Sequence, residues 1–307
     1  ESEIDLGSTV KSTANTVAEM LDQGQALFEQ SDVYFGHGTD NAWDEAVYLL
    51  SFVLDLAPDV DRAVLEKVLT PQQQAAILAL YQRRIQERIP AAYLTGRAWF
   101  CGLPFAVDER VIIPRSPIAE MIMTGFEPWC AIEPSRVLDL CTGSGCIGIA
   151  CAYAFESAEL VLSDISPEAL QVTDANIAQH QLGYRVSAVE SDLFEMMPGE
   201  MFQLIVSNPP YVDADDLAQM PDEFTHEPEL ALASGDDGLD FTRRLLKQAA
   251  DYLTPQGVLV VEVGNSSVAL DRAFPEVPFT WLEFSEGDAG VFVLTHEQLK
   301  AYAVSFS

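Results

Sequence analysis

The tetrapeptide Asn208-Pro209-Pro210-Tyr211 directly follows a short apolar run at 204–207 that is typical of a strand. Proline has no N–H group, so the two prolines remove two donors and leave carbonyl oxygens free to accept. The Asn208 side-chain oxygen and the Pro209 carbonyl can accept both hydrogens of one NH2 group, while Tyr211 offers a flat face to a planar amide or base. These two hydrogen bonds would orient the lone pair of the nitrogen, so the tetrapeptide predicts an amide or amine nitrogen as the nucleophile.

A second group of residues starts at Asp139 and includes Gly143 and Gly145. The glycines let the backbone turn tightly and come close to a ligand, and the amides at the start of the next helix can receive a carboxylate. Asp139 can accept from an ammonium group, so the set suits the amino-acid part of a cofactor. Gly148 completes the spacing of a dinucleotide fingerprint, so the glycines alone also allow a nicotinamide cofactor.

Two more aspartates follow the ends of the next two predicted strands. Asp164 lies 19 residues after Gly145, about where an acidic residue binds ribose hydroxyls in such folds. Asp192 comes after the third strand, where a carboxylate can meet an adenine amino group. An amino-acid site, a ribose site and an adenine site together predict S-adenosylmethionine as the cofactor.

The elements that must position these residues alternate between strand and helix from about residue 116. Repeated alternation predicts an α/β, Rossmann-like fold: a parallel sheet with helices on both faces and ligands beyond the carboxyl ends of the strands. The predicted strands lie at 136–140, 159–163, 185–190, 203–207, 257–263, 279–284 and 290–294, and the predicted helices at 146–155, 167–180 and 239–253.

The beginning of the chain has a different pattern. Apolar positions recur at helical spacing at 13–28, at 43–56 and from Pro71 to about residue 88. Short strand patterns at 98–100 and 105–107 flank a turn. We therefore predict a small helical N-terminal domain at 1–92, a β-hairpin linker at 93–113 and a catalytic domain at 114–307.

The net charge is −32, from 48 acidic and 16 basic residues. A chain this acidic repels a phosphate backbone, so we expect no direct nucleic-acid substrate. It attracts a basic protein at long range, and we hypothesise that the helical domain recognises such a protein. An acidic surface selected for solubility remains an open interpretation of the same charge.

Other features exclude further classes of protein. No apolar run reaches the ~18 residues of a membrane span, and the first residues carry no basic or apolar leader, so we expect a cytoplasmic protein. The cysteines match no zinc pattern, and no metal is expected. They are Cys101, Cys130, Cys141, Cys146 and Cys151.

With these motifs the chain resembles the class I methyltransferases that modify glutamine side chains of translation proteins, the HemK/PrmC-related group. More specific segments are similar to its PrmB-like branch, the N5-glutamine methyltransferases acting on large-subunit ribosomal protein three. These segments lie at 34–40, 99–102, 111–117, 226–230 and 278–284. The resemblance covers about residues 30–299, and it implies a class I methyltransferase sheet with a small helical N-terminal domain and a connecting hairpin.

The resemblance also implies roles for individual residues. Asn208 to Tyr211 would hold the glutamine amide. The release-factor branch often carries an aromatic residue where this chain has Leu193. The implied cofactor contacts are Asp139, Leu140, Cys141, Thr142, Gly143, Asp164, Leu193 and Asn208.

Four alternatives remain at this stage. Glutamine methylation of peptide-release factors uses the same tetrapeptide, but segments 34–40 and 226–230 favour the ribosomal-protein branch. N6-adenine methylation also suits an exocyclic amine, although the acidic charge opposes it. A non-catalytic ribosome-assembly protein would not need intact motifs, and a nicotinamide dehydrogenase would give the tetrapeptide no role.

Overall fold

The computed structural model describes residues 14–57, 61–285 and 287–307 of the chain. The chain divides into two compact units, one ending at Gly96 and the other beginning at Arg97. The predicted domain limits at 92 and 113 stay predictions. Among the described residues, no helix is both long and apolar enough to cross a bilayer.

The first unit is helical. The three longest helices described in this unit start at residues with the chemistry of N-caps: Thr16 accepts from the Glu19 amide, Asn41 from Asp44, and Thr70 from Gln73 with Pro71 in the first turn. Apolar positions at helical spacing then form one core between these helices. The helices are α1 (Val17–Glu29), α2 (Ala42–Val53), α3 (Arg62–Leu65), α4 (Pro71–Glu87) and α5 (Ala91–Thr95).

One ion pair lies inside this unit. The Arg84 guanidinium is 1% exposed, and it donates to the Glu45 carboxylate and to the Tyr34 carbonyl. Glu45 also accepts from the Thr39 hydroxyl. The 34–40 segment, which carries part of the family resemblance, is thereby fixed to α2 and α4 by charge-assisted hydrogen bonds.

The second unit begins with the predicted hairpin and continues with the predicted strand–helix alternation. Strands β1 and β2 pair antiparallel, with Arg97 opposite Ala106. The elements are β1 (Arg97–Phe100), β2 (Leu103–Ala106), α6 (Ile118–Met123), β3 (Arg136–Leu140), α7 (Cys146–Ala154), β4 (Glu159–Asp164), α8 (Pro167–Gln179), β5 (Val186–Glu190), β6 (Phe202–Ser207), α9 (Ala214–Leu217), α10 (Asp240–Gln248), β7 (Leu253–Glu262), α11 (Ser267–Ala273), β8 (Thr280–Phe284), β9 (Gly287–Thr295) and α12 (His296–Ala301).

Seven of these strands form one sheet in the order β5-β4-β3-β6-β7-β9-β8. All neighbours pair in parallel except β9, which runs antiparallel to β7 and β8. The chain winds outward from β3 in one direction and from β6 in the other, so the topological switch point lies between β3 and β6. Apolar clusters cover both faces of the sheet, which is why its central strands are buried. The predicted α/β fold is confirmed.

Two adjoining predicted elements have wrong limits, the helix at 239–253 and the strand at 257–263. The helix expected at 239–253 ends at Gln248, and a 3₁₀ turn from Ala249 to Tyr252 follows it. Leu253 already pairs with Phe202 in the sheet, so β7 begins four residues before the predicted Gly257. Pro255 disfavours a helix here, and pairing with β6 decides the conformation.

Candidate active site

A cleft opens at the switch point, beyond the carboxyl ends of β3, β4 and β6. Its empty volume is about 930 Å³, counting the part open to solvent. Its lining residues are Arg110, Ile112, Leu140, Cys141, Gly143, Ser163, Asp164, Ile165, Ser166, Ala169, Ser191, Asp192, Leu193, Asn208, Pro210, Pro228, Leu230, Ala231, Phe241 and Arg244.

The loop after β3 has the backbone conformation that the glycines predicted. Gly143 and Gly145 have φ of +56° and +84°, and Cys141 has φ of +58°. No heavy atom lies within 4 Å of the place where a Cβ on Gly143 would sit. This loop therefore leaves open space for a ligand beside its backbone. Burial raises the pKa of the Cys141 thiol well above its usual value, so the thiol in the cleft is neutral.

Asp139 lies beneath this loop and is 1% exposed. One carboxyl oxygen, Oδ2, accepts from the Thr142 hydroxyl at 2.7 Å and from the Gly148 amide at 2.9 Å. The other, Oδ1, is buried without a hydrogen-bond partner, which leaves an acceptor for a ligand group. Burial raises the pKa of Asp139 to about 7. Gly148 has a packing role, because a Cβ there would come within 2.6 Å of Leu162.

Asp164 ends β4 at the edge of the cleft. Its Oδ2 accepts from the Gly143 amide at 2.9 Å and its Oδ1 from the Ser166 amide at 3.0 Å. Burial raises its pKa, and these backbone bonds oppose the shift. The next residue, Ile165, is an apolar side chain that is 50% exposed and lines the cleft. Its side chain forms an apolar part of the cleft wall.

Two residues that follow β5, Asp192 and Leu193, also line the cleft. Asp192 accepts from the Arg244 guanidinium of α10 at 2.8 Å, and Leu193 has φ of +50°. Arg244, like Phe241, lines the cleft but was not predicted. The pairing of Asp192 with Arg244 spans 52 residues, and no local pattern in the sequence points to it.

The tetrapeptide lies where β6 ends. Ser207 holds this end to β3 by donating its hydroxyl to the Leu140 carbonyl at 2.7 Å. The Asn208 side-chain NH2 group donates to the Arg115 carbonyl at 3.4 Å. Because the NH2 group is used there, the Asn208 side-chain oxygen is left as an acceptor. Asn208 and Pro210 line the cleft, whereas Pro209 is buried.

Tyr211 is fixed at both its side chain and its main chain. Its hydroxyl donates to Glu262 at 2.8 Å, and its carbonyl accepts from the Ser266 hydroxyl at 2.8 Å. A Cβ on Gly264 would come within 2.6 Å of its ring, so only glycine allows this close packing. Burial raises the pKa of Glu262 to about 7 and that of Tyr211 well above its usual value.

Of the predicted site residues, some line the cleft and others support it. The first group is Leu140, Cys141, Gly143, Asp164, Asp192, Leu193, Asn208 and Pro210. The second group is Asp139, Thr142, Gly145, Pro209 and Tyr211, and it underlies or flanks that surface. Their roles in binding and catalysis stay predictions.

Models of two known domains match the chain. The methyltransferase small domain matches residues 127–236, and the PrmC N-terminal domain matches residues 19–96. The catalytic domain of hMettl16, solved in complex with a 3′UTR hairpin, is 17% identical in sequence, with a TM-score of 0.54. The alignment covers 82% of this chain and 91% of that one. At this identity the likeness concerns the fold. The Rossmann-like sheet, its cleft and the small-domain match define a class I methyltransferase.

Two relatives identify the branch. The ribosomal protein uL3 glutamine methyltransferase of Francisella tularensis is 50% identical over 95% of this chain and 94% of its own length. The enzyme of the same name from Neisseria gonorrhoeae is 48% identical over 92% of this chain and 95% of its own. The chain belongs to the ribosomal protein uL3 glutamine methyltransferases, which confirms the resemblance found in its motifs.

Proposed function

We propose that this chain transfers a methyl group from S-adenosylmethionine to the N5 amide nitrogen of a glutamine in ribosomal protein uL3. The family supplies the reaction and the substrate of its named members. One observation on this chain carries the assignment: the Asn208 NH2 group is bound to the Arg115 carbonyl, so the Asn208 oxygen is the atom presented as acceptor.

The residues that line and underlie the cleft fit the cofactor. The partnerless Oδ1 of buried Asp139 suits an ammonium group, and the open space beside Gly143 suits a close backbone contact. We assign the ribose hydroxyls to Asp164 and the adenine ring to the surface of Asp192 and Leu193. The other proposed contacts are Leu140, Cys141, Thr142, Gly145 and Asn208. When bound, S-adenosylmethionine supplies an electrophilic methyl group.

The tetrapeptide would act by orientation. Asn208 Oδ1 and the Pro209 carbonyl accept both hydrogens of the glutamine NH2 group, which fixes the nitrogen and directs its lone pair. Tyr211 packs beside the planar amide, with its own hydroxyl held by Glu262. The proton can leave after methyl transfer, so no side chain has to act as a strong base.

A labelled-methyl experiment tests this proposal. The chain is incubated with labelled cofactor and a lysate of methylation-deficient cells, and the labelled band is analysed by mass spectrometry. We expect one methyl group on a glutamine of uL3. Label in a release factor or in nucleic acid, with uL3 unlabelled, would replace the proposed substrate.

The helical unit and the acidic surface belong to the same proposal. We assign recognition of the basic ribosomal protein to the predicted N-terminal domain at 1–92, in the cytoplasm, with electrostatic attraction from the net charge of −32. Affinity for uL3 should then fall as salt concentration rises. Binding that is indifferent to ionic strength would remove electrostatic attraction from this account.

A further inference from the structure

Two sequence motifs that carry the family resemblance, 111–117 and 226–230, meet at Glu227. Its side chain is fully buried, and its carboxylate accepts from the Arg115 guanidinium at 2.6 and 2.7 Å. The same carboxylate accepts from the Ile113 amide at 2.9 Å. The guanidinium also lies over the Phe224 ring, 5.6 Å from its centroid. Glu227 thus accepts three hydrogen bonds from the 113–116 segment.

The 113–116 segment contacts the tetrapeptide directly at Asn208 and is linked to Tyr211 through Glu262. The Arg115 carbonyl accepts from the Asn208 NH2 group. The Ser116 hydroxyl donates at 2.6 Å to Glu262, which in turn accepts from the Tyr211 hydroxyl. The segment therefore determines the direction of the Asn208 amide and supports the carboxyl that holds Tyr211.

We propose that Glu227 is a positioning residue: through Arg115 it orients the Asn208 amide so that its oxygen faces the substrate nitrogen. This inference rests on the proposed function. Glu227 is not among the residues that line the cleft, so it acts through the 113–116 segment and not on substrate or cofactor.

The chemistry requires a carboxylate at this position. An ionised carboxylate has only acceptors and can receive the two guanidinium donors and the Ile113 amide together. Glutamine has the same shape but turns an NH2 group towards one of these donors. Glu227→Gln therefore loses at least one bond of the set and lets the 113–116 segment shift.

The test compares Glu227→Gln with Asp222→Asn. Asp222 is an exposed carboxylate five positions earlier in the same loop, so its change removes an equal charge outside the network. With saturating cofactor and uL3, we expect kcat to fall by about tenfold or more in Glu227→Gln, since small misplacements of reacting groups are costly. Cofactor affinity should stay within about twofold of wild type in both variants. An unchanged kcat, or a loss confined to cofactor affinity, overturns the inference.

A spectroscopic measurement gives a result that does not depend on the substrate. The NMR resonances of the Asn208 side-chain NH2 group can be assigned from their absence in Asn208→Ala. They should shift in Glu227→Gln and stay in place in Asp222→Asn.

If wild type leaves uL3 unmethylated, the proposed function fails, while these resonances still decide whether Glu227 positions Asn208. If Glu227→Gln does not fold, Arg115→Lys serves the same test, because lysine keeps the charge but loses the two-pronged contact. Unshifted resonances in the folded variant overturn the inference.

Discussion

The two halves of the cleft differ in how far apart in sequence their hydrogen-bond partners lie. In the glycine-loop half, built from 139–145 and Asp164, the Asp139 and Asp164 carboxylates accept from backbone N–H groups and a hydroxyl at most 21 residues away. The tetrapeptide half, built from 208–211, depends on side chains 51 to 146 residues apart in sequence, such as Tyr211 with Glu262 and Ser116 with Glu262.

This difference predicts that the two halves can be damaged separately. Local backbone bonds make the glycine-loop half part of the β3–α7 and β4–α8 connections themselves. The tetrapeptide half needs separate loops to meet, so its geometry can be changed from a distance. Changes in the first half should weaken cofactor binding, and changes in the second should lower turnover.

The largest expected effect concerns Asn208→Ala. This variant removes the acceptor for the substrate NH2 group, so kcat should fall by about 10²-fold or more. Cofactor affinity, measured by equilibrium dialysis, should remain within about threefold, since the rest of the cleft is intact. Turnover close to wild type would contradict the role of the tetrapeptide half.

The next effect concerns Asp164→Ala. It removes a carboxylate that is bonded to the Gly143 and Ser166 amides and assigned to the ribose. Loss of a charged hydrogen-bonding group predicts cofactor affinity weaker by about 10- to 100-fold, with kcat at saturation largely retained. Asp174→Ala, at an exposed position on α8, is the control and should leave affinity unchanged. A loss in kcat with unchanged cofactor affinity would contradict the prediction that the glycine-loop half serves cofactor binding.

A pH-dependent effect of intermediate size concerns Glu262→Gln. Burial raises the pKa of Glu262 from 4.5 to about 7. The folded protein keeps a proton that the unfolded chain releases, so the contribution of Glu262 to the free energy of unfolding falls as pH rises through this window. The stability of Glu262→Gln relative to wild type should therefore increase, by on the order of 1–3 kcal/mol.

The measurement is urea unfolding at about pH 5 and about pH 7. Glu159→Gln changes an exposed glutamate on β4 and serves as the control. The stability difference between Glu262→Gln and wild type should level off above about pH 7. A difference that stays flat from pH 5 to pH 7 would show that Glu262 does not titrate in this window.

The smallest effect concerns Arg244→Ala. Its ion pair with Asp192 is half-exposed, so it is worth about 1 kcal/mol or less, and we expect a two- to threefold loss of cofactor affinity. Arg243→Ala is the matched control, because Arg243 pairs with Asp237 and does not line the cleft. Equal cofactor affinities in the two variants would show that Arg244 does not contribute to cofactor binding.

Most of the fold could be predicted because it follows from local patterns. Apolar periodicity placed the strands of the parallel sheet, and glycines and aspartates at their ends predicted where the cleft lies. The predicted end of the helix at 253 was wrong because pairing of Leu253 with Phe202 outweighs local helix preference.

The sequence alone determined the fold class, the glycine loop, the strand-end aspartates and the tetrapeptide, since each depends on residues that are neighbours in the chain. Only the tertiary structure decided that Arg244 pairs with Asp192, that Glu227 holds Arg115 and that Glu262 holds Tyr211. The physical reason is that these partners lie 51 to 112 residues apart, and only the order of strands in the sheet and the paths of the loops bring them together.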